Sequence, residues 1–202
     1  PTGIKHLDQK DVLNGGLGRG EIGVVVANTG VGKSHYLVAM GAEALRRGKN
    51  VVHYTFELTE TAVGIRYDSN LCNIPSSNVV DNKETILKTY EENDFGNLII
   101  KQYPTGAASI ITIRNHLDKL MMKDFKPSLL VIDYADIMRS TRTYDSLRHE
   151  LKLVYEELCA RGKNYIAARK RAGEKSSAYL SGRGVKVCKD QIKGSDGKKK
   201  KG

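Results

Sequence analysis

The chain has few of the residues that staple or anchor a protein. Its three cysteines, Cys72, Cys159 and Cys188, are odd in number, far apart and never spaced Cys-x-x-Cys. That excludes a disulfide framework or a zinc ribbon as the basis of the fold and fits a reducing cytosol. The five histidines, His6, His35, His53, His116 and His149, have no metal-ligand spacing, so each reads as packing or surface. No stretch approaches the roughly 18 apolar residues that a membrane span requires. The opening Pro1-Thr2-Gly3-Ile4-Lys5-His6 has no apolar h-region. These absences predict a soluble, cytoplasmic chain without membrane contact. What is present suffices for one core: 202 residues, 40% of them apolar, bury roughly 70% of the surface that the unfolded chain exposes.

Charge divides the sequence unevenly. Residues 1–158 contain 19 Lys+Arg and 20 Asp+Glu, whereas residues 159–202 contain 14 and 3, so the excess behind the net charge of +10 lies wholly in the last 44 residues. That segment ends Lys198-Lys199-Lys200-Lys201 and has few large apolar residues. Two units are therefore expected: a globular core over 1–158 and a basic, Gly/Lys-rich tail over 159–202, poorly packed or disordered. Tyr165 and Tyr179 among the tail's basic residues are candidates for stacking on single-stranded bases, against the plainer reading of a disordered lysine-rich end.

Within the core, strand-like and helix-like segments alternate. Ile22-Gly23-Val24-Val25-Val26-Ala27 is a continuous apolar run of strand length, expected as a central parallel strand. Ser34 to Arg47 carries Tyr36, Leu37, Met40, Ala44 and Leu45 at helical spacing and stops at Gly48. Val51–Phe56 predicts a second strand, with Thr59 capping a following helix. Asn97–Tyr103 predicts a third strand before Pro104, Ser109 caps another helix, and Leu129–Asp133 predicts a fourth strand. Leu147, Leu151, Val154 and Leu158 lie on one face of a last helix, while residues 76 to 96 are polar and ambiguous. Alternation of this kind predicts right-handed βαβ units: an α/β fold with a mostly parallel sheet covered by helices on both faces. Ligands of such sheets bind at the carboxyl ends of the strands.

Ala27-Asn28-Thr29-Gly30-Val31-Gly32-Lys33-Ser34 matches the phosphate-loop pattern, with alanine in place of its first glycine. Gly30 and Gly32 let the backbone turn its amides inward, Lys33 neutralises the β and γ oxygens of a nucleotide, and Ser34 ligates Mg²⁺. A Mg-nucleotide calls for a carboxylate near the metal, and Asp133 at the tip of an apolar strand is the candidate. Hydrolysis also calls for a group that orients and deprotonates water. Glu57, directly after the second strand, is either that base or a first-turn helix acid favoured by the helix dipole. Arg66, Arg139 and Arg142 are candidates for phosphate or DNA contact, or else solvated.

Thr2-Gly3-Ile4 with Leu7-Asp8, Gly16-Leu17, Gly20-Glu21, the phosphate loop, Phe56-Glu57-Leu58 and Leu130-Val131-Ile132-Asp133-Tyr134 stand in a telling order. In that order and rough spacing, residues 2–158 resemble the RecA-like ATPase domain of DnaB-type replicative helicases, particularly phage forms. The resemblance implies a RecA-like P-loop NTPase fold using ATP and Mg²⁺. It makes Lys33 and Ser34 the phosphate and metal residues, Asp133 the metal-side acid and Glu57 the catalytic base. It also implies single-stranded DNA as partner and a ring, usually hexameric, in the full-length protein. Family members continue past the last helix with a γ-phosphate sensor strand and an arginine finger, neither of which is visible after Leu158. The core is thus expected to be incomplete on that side, and the isolated chain to bind ATP with weak hydrolysis. Rival readings are another RecA-like ATPase (a recombinase or clock-protein-like member), a basic nucleic-acid-binding module with a relic phosphate loop, and a phosphate-transferring kinase.

Overall fold

The computed structural model describes residues 1–18, 20–26, 28 and 30–133. The expected last helix, the tail 159–202, and Ala27, Thr29, Arg139, Arg142, His149, Tyr165 and Tyr179 lie outside the described residues. One compact unit, Pro1–Gly16 with Val25–Thr143, holds every described helix and strand; of the second, Leu17–Val24 are described apart from Arg19.

Helix α1, Lys33–Arg46, buries Val38, Ala42 and Leu45 on one stripe. It ends where the Gly48 amide reaches back to the Leu45 carbonyl at 2.9 Å, Gly48 taking the positive φ of 67° that favours glycine. Strand β1, Val51–Thr55, follows and is buried throughout. Thr59 then caps α2, Glu60–Cys72, by accepting from the Ala62 amide at 3.1 Å. The ambiguous stretch resolves into two short 3-10 turns and α3, Lys83–Glu92, which buries only Ile86. Strand β2 is Leu98–Gln102. Ser109 and Thr112 form a reciprocal capping box at the start of α4, Ile110–Met122, and β3 is Leu129–Asp133.

The three strands are parallel in the order β2-β1-β3, with Thr55 level with both Gln102 and Asp133. Side chains alternate along a strand, so level residues share a face. Val51 and Val131 pack with Val38, Ala42, Leu45, Val63, Tyr67 and Leu71 of α1 and α2, and Thr55 and Asp133 belong to that same face. On the other face the Tyr54 hydroxyl meets His116 Nδ1 of α4 at 2.7 Å, and the Tyr54 ring stacks on Tyr103. Helices therefore cover both faces, as the alternation predicts.

The expected first strand does not form among the described residues. Residues 22–26 take no strand conformation, and Val24 and Val26 are 45% and 87% exposed. Ile22–Val24 fall in one unit and Val25 onward in the other. β-propensity without pairing and burial does not make a strand.

A buried polar pair ties α2 to the sheet. His53 Nδ1 and the Tyr67 hydroxyl lie 3.0 Å apart, both residues fully buried, and His53 Nε2 has no partner among the described residues. The Tyr67 hydroxyl occupies the space a Cβ on Gly41 would need, so glycine at that point of α1 is what admits the tyrosine. Burial, and secondarily the Arg66 charge, lower the His53 pKa to about 4. The unfolded chain protonates this histidine near pH 6.5, so its contribution to stability is complete above that value and is lost as pH falls towards 4. Between pH 7 and pH 4.5 the unfolding free energy should drop by about 2 kcal/mol from this group. Urea unfolding of the chain and of His53→Gln at both pH values checks it; parallel pH dependences would contradict the reading.

Candidate functional site

The phosphate-loop residues enter α1 through two left-handed glycines, Gly30 with φ 82° and Gly32 with φ 95°, the second being the helix N-cap. A Cβ at either position meets nothing within 4 Å. Glycine is needed there for backbone conformation and not for space. Val31 between them is 70% exposed, Asn28 is exposed, and Lys33 and Ser34 are half-buried. Among the described residues no side chain caps the helix and its first turn holds no acid, and a helix N-terminus of this kind presents unpaired amides and partial positive charge.

Topology places this turn at the ligand-binding end of the sheet. Arg47–Asn50 join the end of α1 directly to the start of β1, and α1 packs across β1 and β3. The helix therefore runs antiparallel to the strands. Its 14 residues rise about 21 Å against about 17 Å for a five-residue strand. Gly32, Lys33 and Ser34 thus stand at the carboxyl ends of the strands, where Thr55 and Asp133 lie level.

Asp133 is 1% exposed, on the α1 and α2 face, and its Oδ2 has no hydrogen-bond partner among the described residues. An orphaned buried carboxylate oxygen is costly and calls for a donor that the described residues do not supply. A bound cation's water shell is such a donor. No group of three or more His, Cys, Asp or Glu residues gathers among the described residues. Mg²⁺ does not require one, since it binds through one or two carboxylates and the substrate's phosphates. Asp133 is a carboxylate that fits that pattern.

Glu57 is exposed and forms no hydrogen bond or ion pair among the described residues, while the turn beneath it is pinned on every side. The Phe56 amide donates to the Asp133 carbonyl at 2.9 Å, and the Tyr103 amide to the Thr55 carbonyl at 3.0 Å. Glu60 accepts from the Gln102 amide at 3.0 Å and from Lys101 Nζ at 3.4 Å, bonds that lower its pKa. The helix-dipole alternative for Glu57 is corrected here: Glu57 lies two residues before the cap Thr59, and the first-turn acid is Glu60. Sequence reasoning missed both Thr55 and Glu60 in this turn.

Arg66 lines a cleft of about 430 Å³ beside α1 with His35, Val38, Ser69, Asn70 and Asn73, and none of the described residues from Asn28 to Ser34 borders it. The opening motif has a structural role. Asp8 accepts from the amides of Thr2 at 2.7 Å and Gly3 at 3.0 Å and from the Thr2 hydroxyl at 2.9 Å. Desolvation pushes its carboxyl pKa up, but these bonds together with the N-terminal charge outweigh it and hold the pKa below the usual carboxylate range.

Among solved structures, the chain is similar to a DnaB-like replicative helicase studied with primase, at TM-score 0.67 and 13% identity, covering 82% of this chain and 40% of that one. It is also similar to a second solved structure, that of an ATPase domain, at TM-score 0.61 and 16% identity, covering 77% and 59%. The fold is that of RecA-like helicase ATPase domains. In sequence, 139 residues are 33% identical to the DnaB-like replicative helicase of Enterobacteria phage T4, and 103 residues are 28% identical to the DNA repair protein RadA of Campylobacter jejuni. These matches cover 65% and 50% of this chain, which spans only 29% and 23% of those proteins. The DnaB-like helicase C terminal domain family matches residues 1–165, and the chain belongs to that family.

Proposed function

We propose that this chain is the ATP-binding and hydrolysing motor core of a replicative DNA helicase, coupling ATP turnover to movement on single-stranded DNA in the cytoplasm. The observation that carries the reading is the buried Asp133 carboxylate, one oxygen unpartnered among the described residues, at the strand ends where α1 begins without a side-chain cap among those residues. In this assignment the backbone from Ala27 to Ser34 wraps the polyphosphate and Lys33 balances the charge on its β and γ oxygens. Ser34 and Asp133 would hold Mg²⁺, which when bound offsets phosphate charge. Glu57 orients a water and takes its proton as the water oxygen bonds to the γ-phosphorus and the bond to the β–γ bridging oxygen breaks.

We further propose that the full-length protein containing this core is a homo-oligomer, a hexameric ring. A neighbouring subunit's arginine finger is worth about 10³ to 10⁵ in turnover in related phosphate-loop enzymes, so the isolated chain is expected to hydrolyse ATP slowly. The match to RadA favours a second reading, a RecA-like repair ATPase, but it is shorter and weaker than the match to the phage helicase.

The discriminating experiment measures ATP turnover by the chain with and without single-stranded DNA, and again after deletion of residues 159–202. Slow Mg²⁺-dependent turnover that survives the deletion supports the motor reading. Salt-sensitive DNA binding that vanishes with the tail, with no nucleotide binding in either form, would instead identify a basic nucleic-acid-binding module.

A further inference from the structure

The carboxylate of Glu57 stands on a four-residue turn, Glu57-Leu58-Thr59-Glu60, whose backbone is fixed from below by one hydroxyl. Thr55 Oγ1 donates to the Leu58 carbonyl and accepts from the Leu58 amide, each at 3.0 Å. Thr55 is fully buried and level with Asp133 on the neighbouring strand. A hydroxyl carries one donor and two acceptor sites, and here it satisfies both polar groups of the residue that follows Glu57. The far end of the turn is held by the Thr59 cap and by Glu60 on Gln102, and the near end by Phe56 on the Asp133 carbonyl. Leu58 is the one residue of the turn whose backbone depends on the Thr55 side chain. Valine has nearly the same shape but leaves the Leu58 N–H and C=O without a side-chain partner among the described residues.

We propose that Thr55 is a positioning residue for Glu57: its hydroxyl fixes the backbone of Leu58 and thereby holds the Glu57 carboxylate at the strand ends beside Asp133. The proposal rests on the reading of Glu57 as the base. It assigns Thr55 no contact with nucleotide, so loss of the hydroxyl acts on turnover and leaves nucleotide affinity alone.

The test uses the full chain with Thr55→Val, Thr55→Ser and Glu57→Gln, singly and as the Thr55→Val/Glu57→Gln double variant, each first checked by thermal melting. Thr55→Val should lower ATP turnover about tenfold, as expected for a displaced catalytic group, with Kd for ADP within about twofold of wild type, because uniform binding is untouched. Thr55→Ser should restore turnover. Thr55→Ala, which removes the same hydroxyl without placing a methyl there, should match Thr55→Val and serves if that variant melts. A second readout needs no hydrolysis. A carboxylate beside the γ-phosphate opposes ATP relative to ADP, so Glu57→Gln should raise the ATP:ADP affinity ratio several-fold in wild type and distinctly less in the Thr55→Val background, the mark of coupled residues. Glu57→Gln without effect on turnover or ratio would overturn the assignment of Glu57 and the proposal with it. Glu57→Gln effective while Thr55→Val matches wild type, or Thr55→Ser as impaired as Thr55→Val, would overturn the role of Thr55 alone.

Discussion

Replacing Glu57 with glutamine is expected to reduce ATP turnover by about 10² to 10⁴, the range a positioned general base contributes, while leaving nucleotide binding intact. Glutamine keeps the size and a hydrogen-bonding carbonyl but cannot accept the proton released by the attacking water. Glu57 is exposed beyond β1, outside helix α2, on a turn tied by backbone to Asp133. Its substitution removes no packing and no intramolecular bond among the described residues. The competing account, an acid serving the α2 dipole, predicts a different result: a stability loss of about 0.3–1 kcal/mol and unchanged turnover. Glu60 already occupies the first turn, so that loss should appear on Glu60→Gln and not on Glu57→Gln. Turnover per bound nucleotide together with thermal melting separates the two accounts.

Replacing Lys33 with alanine should weaken Mg·ATP binding by about a hundredfold or more. A charge-assisted hydrogen bond contributes about 1.5–3 kcal/mol, and an ammonium shared between β and γ oxygens makes two. At about 1.4 kcal/mol per factor of ten, the pair accounts for at least two decades in Kd. Lys33 is the first residue of α1 and is half-buried, and α1 is held by Val38, Ala42 and Leu45 in the core cluster. Alanine at the helix start is compatible with the fold. Calorimetric titration of both proteins with ATP in Mg²⁺ measures the effect. Equal affinities would mean that nucleotide, if bound, sits elsewhere.

Much of the scaffold was legible because local chemistry and global packing agree there. The β-branched run at Val51–Thr55 is buried at every position, and Thr59 and Ser109 make the caps that their side chains suggest. The stretch 76–96 was illegible because α3 buries one residue, Ile86, and periodicity needs several. Ile22–Ala27 misled for the converse reason. Its composition is that of a buried strand, but residues 22–26 form no ladder among the described residues, and Val24 and Val26 are exposed. At the site, Gly30 and Gly32 were legible from the motif spacing, and both take the positive φ that favours glycine. The level pairing of Thr55 with Asp133, the orphaned Asp133 oxygen and the bracing of Leu58 by Thr55 depend on register and burial, which no single stretch of sequence encodes. Asp8 was visible as a motif residue, but its work of gathering the Thr2 and Gly3 amides was not.

The central claim is that backbone amides at the start of α1 receive the phosphates. Amide NMR of the chain during titration with Mg·ADP tests it residue by residue. The account predicts saturable shifts that are largest at Gly30, Val31, Gly32, Lys33 and Ser34, with a smaller response at Asp133. Shifts concentrated instead around His35, Arg66 and Asn73 in the neighbouring cleft, or in residues 159–202, with the Gly30–Ser34 amides unmoved, would contradict it.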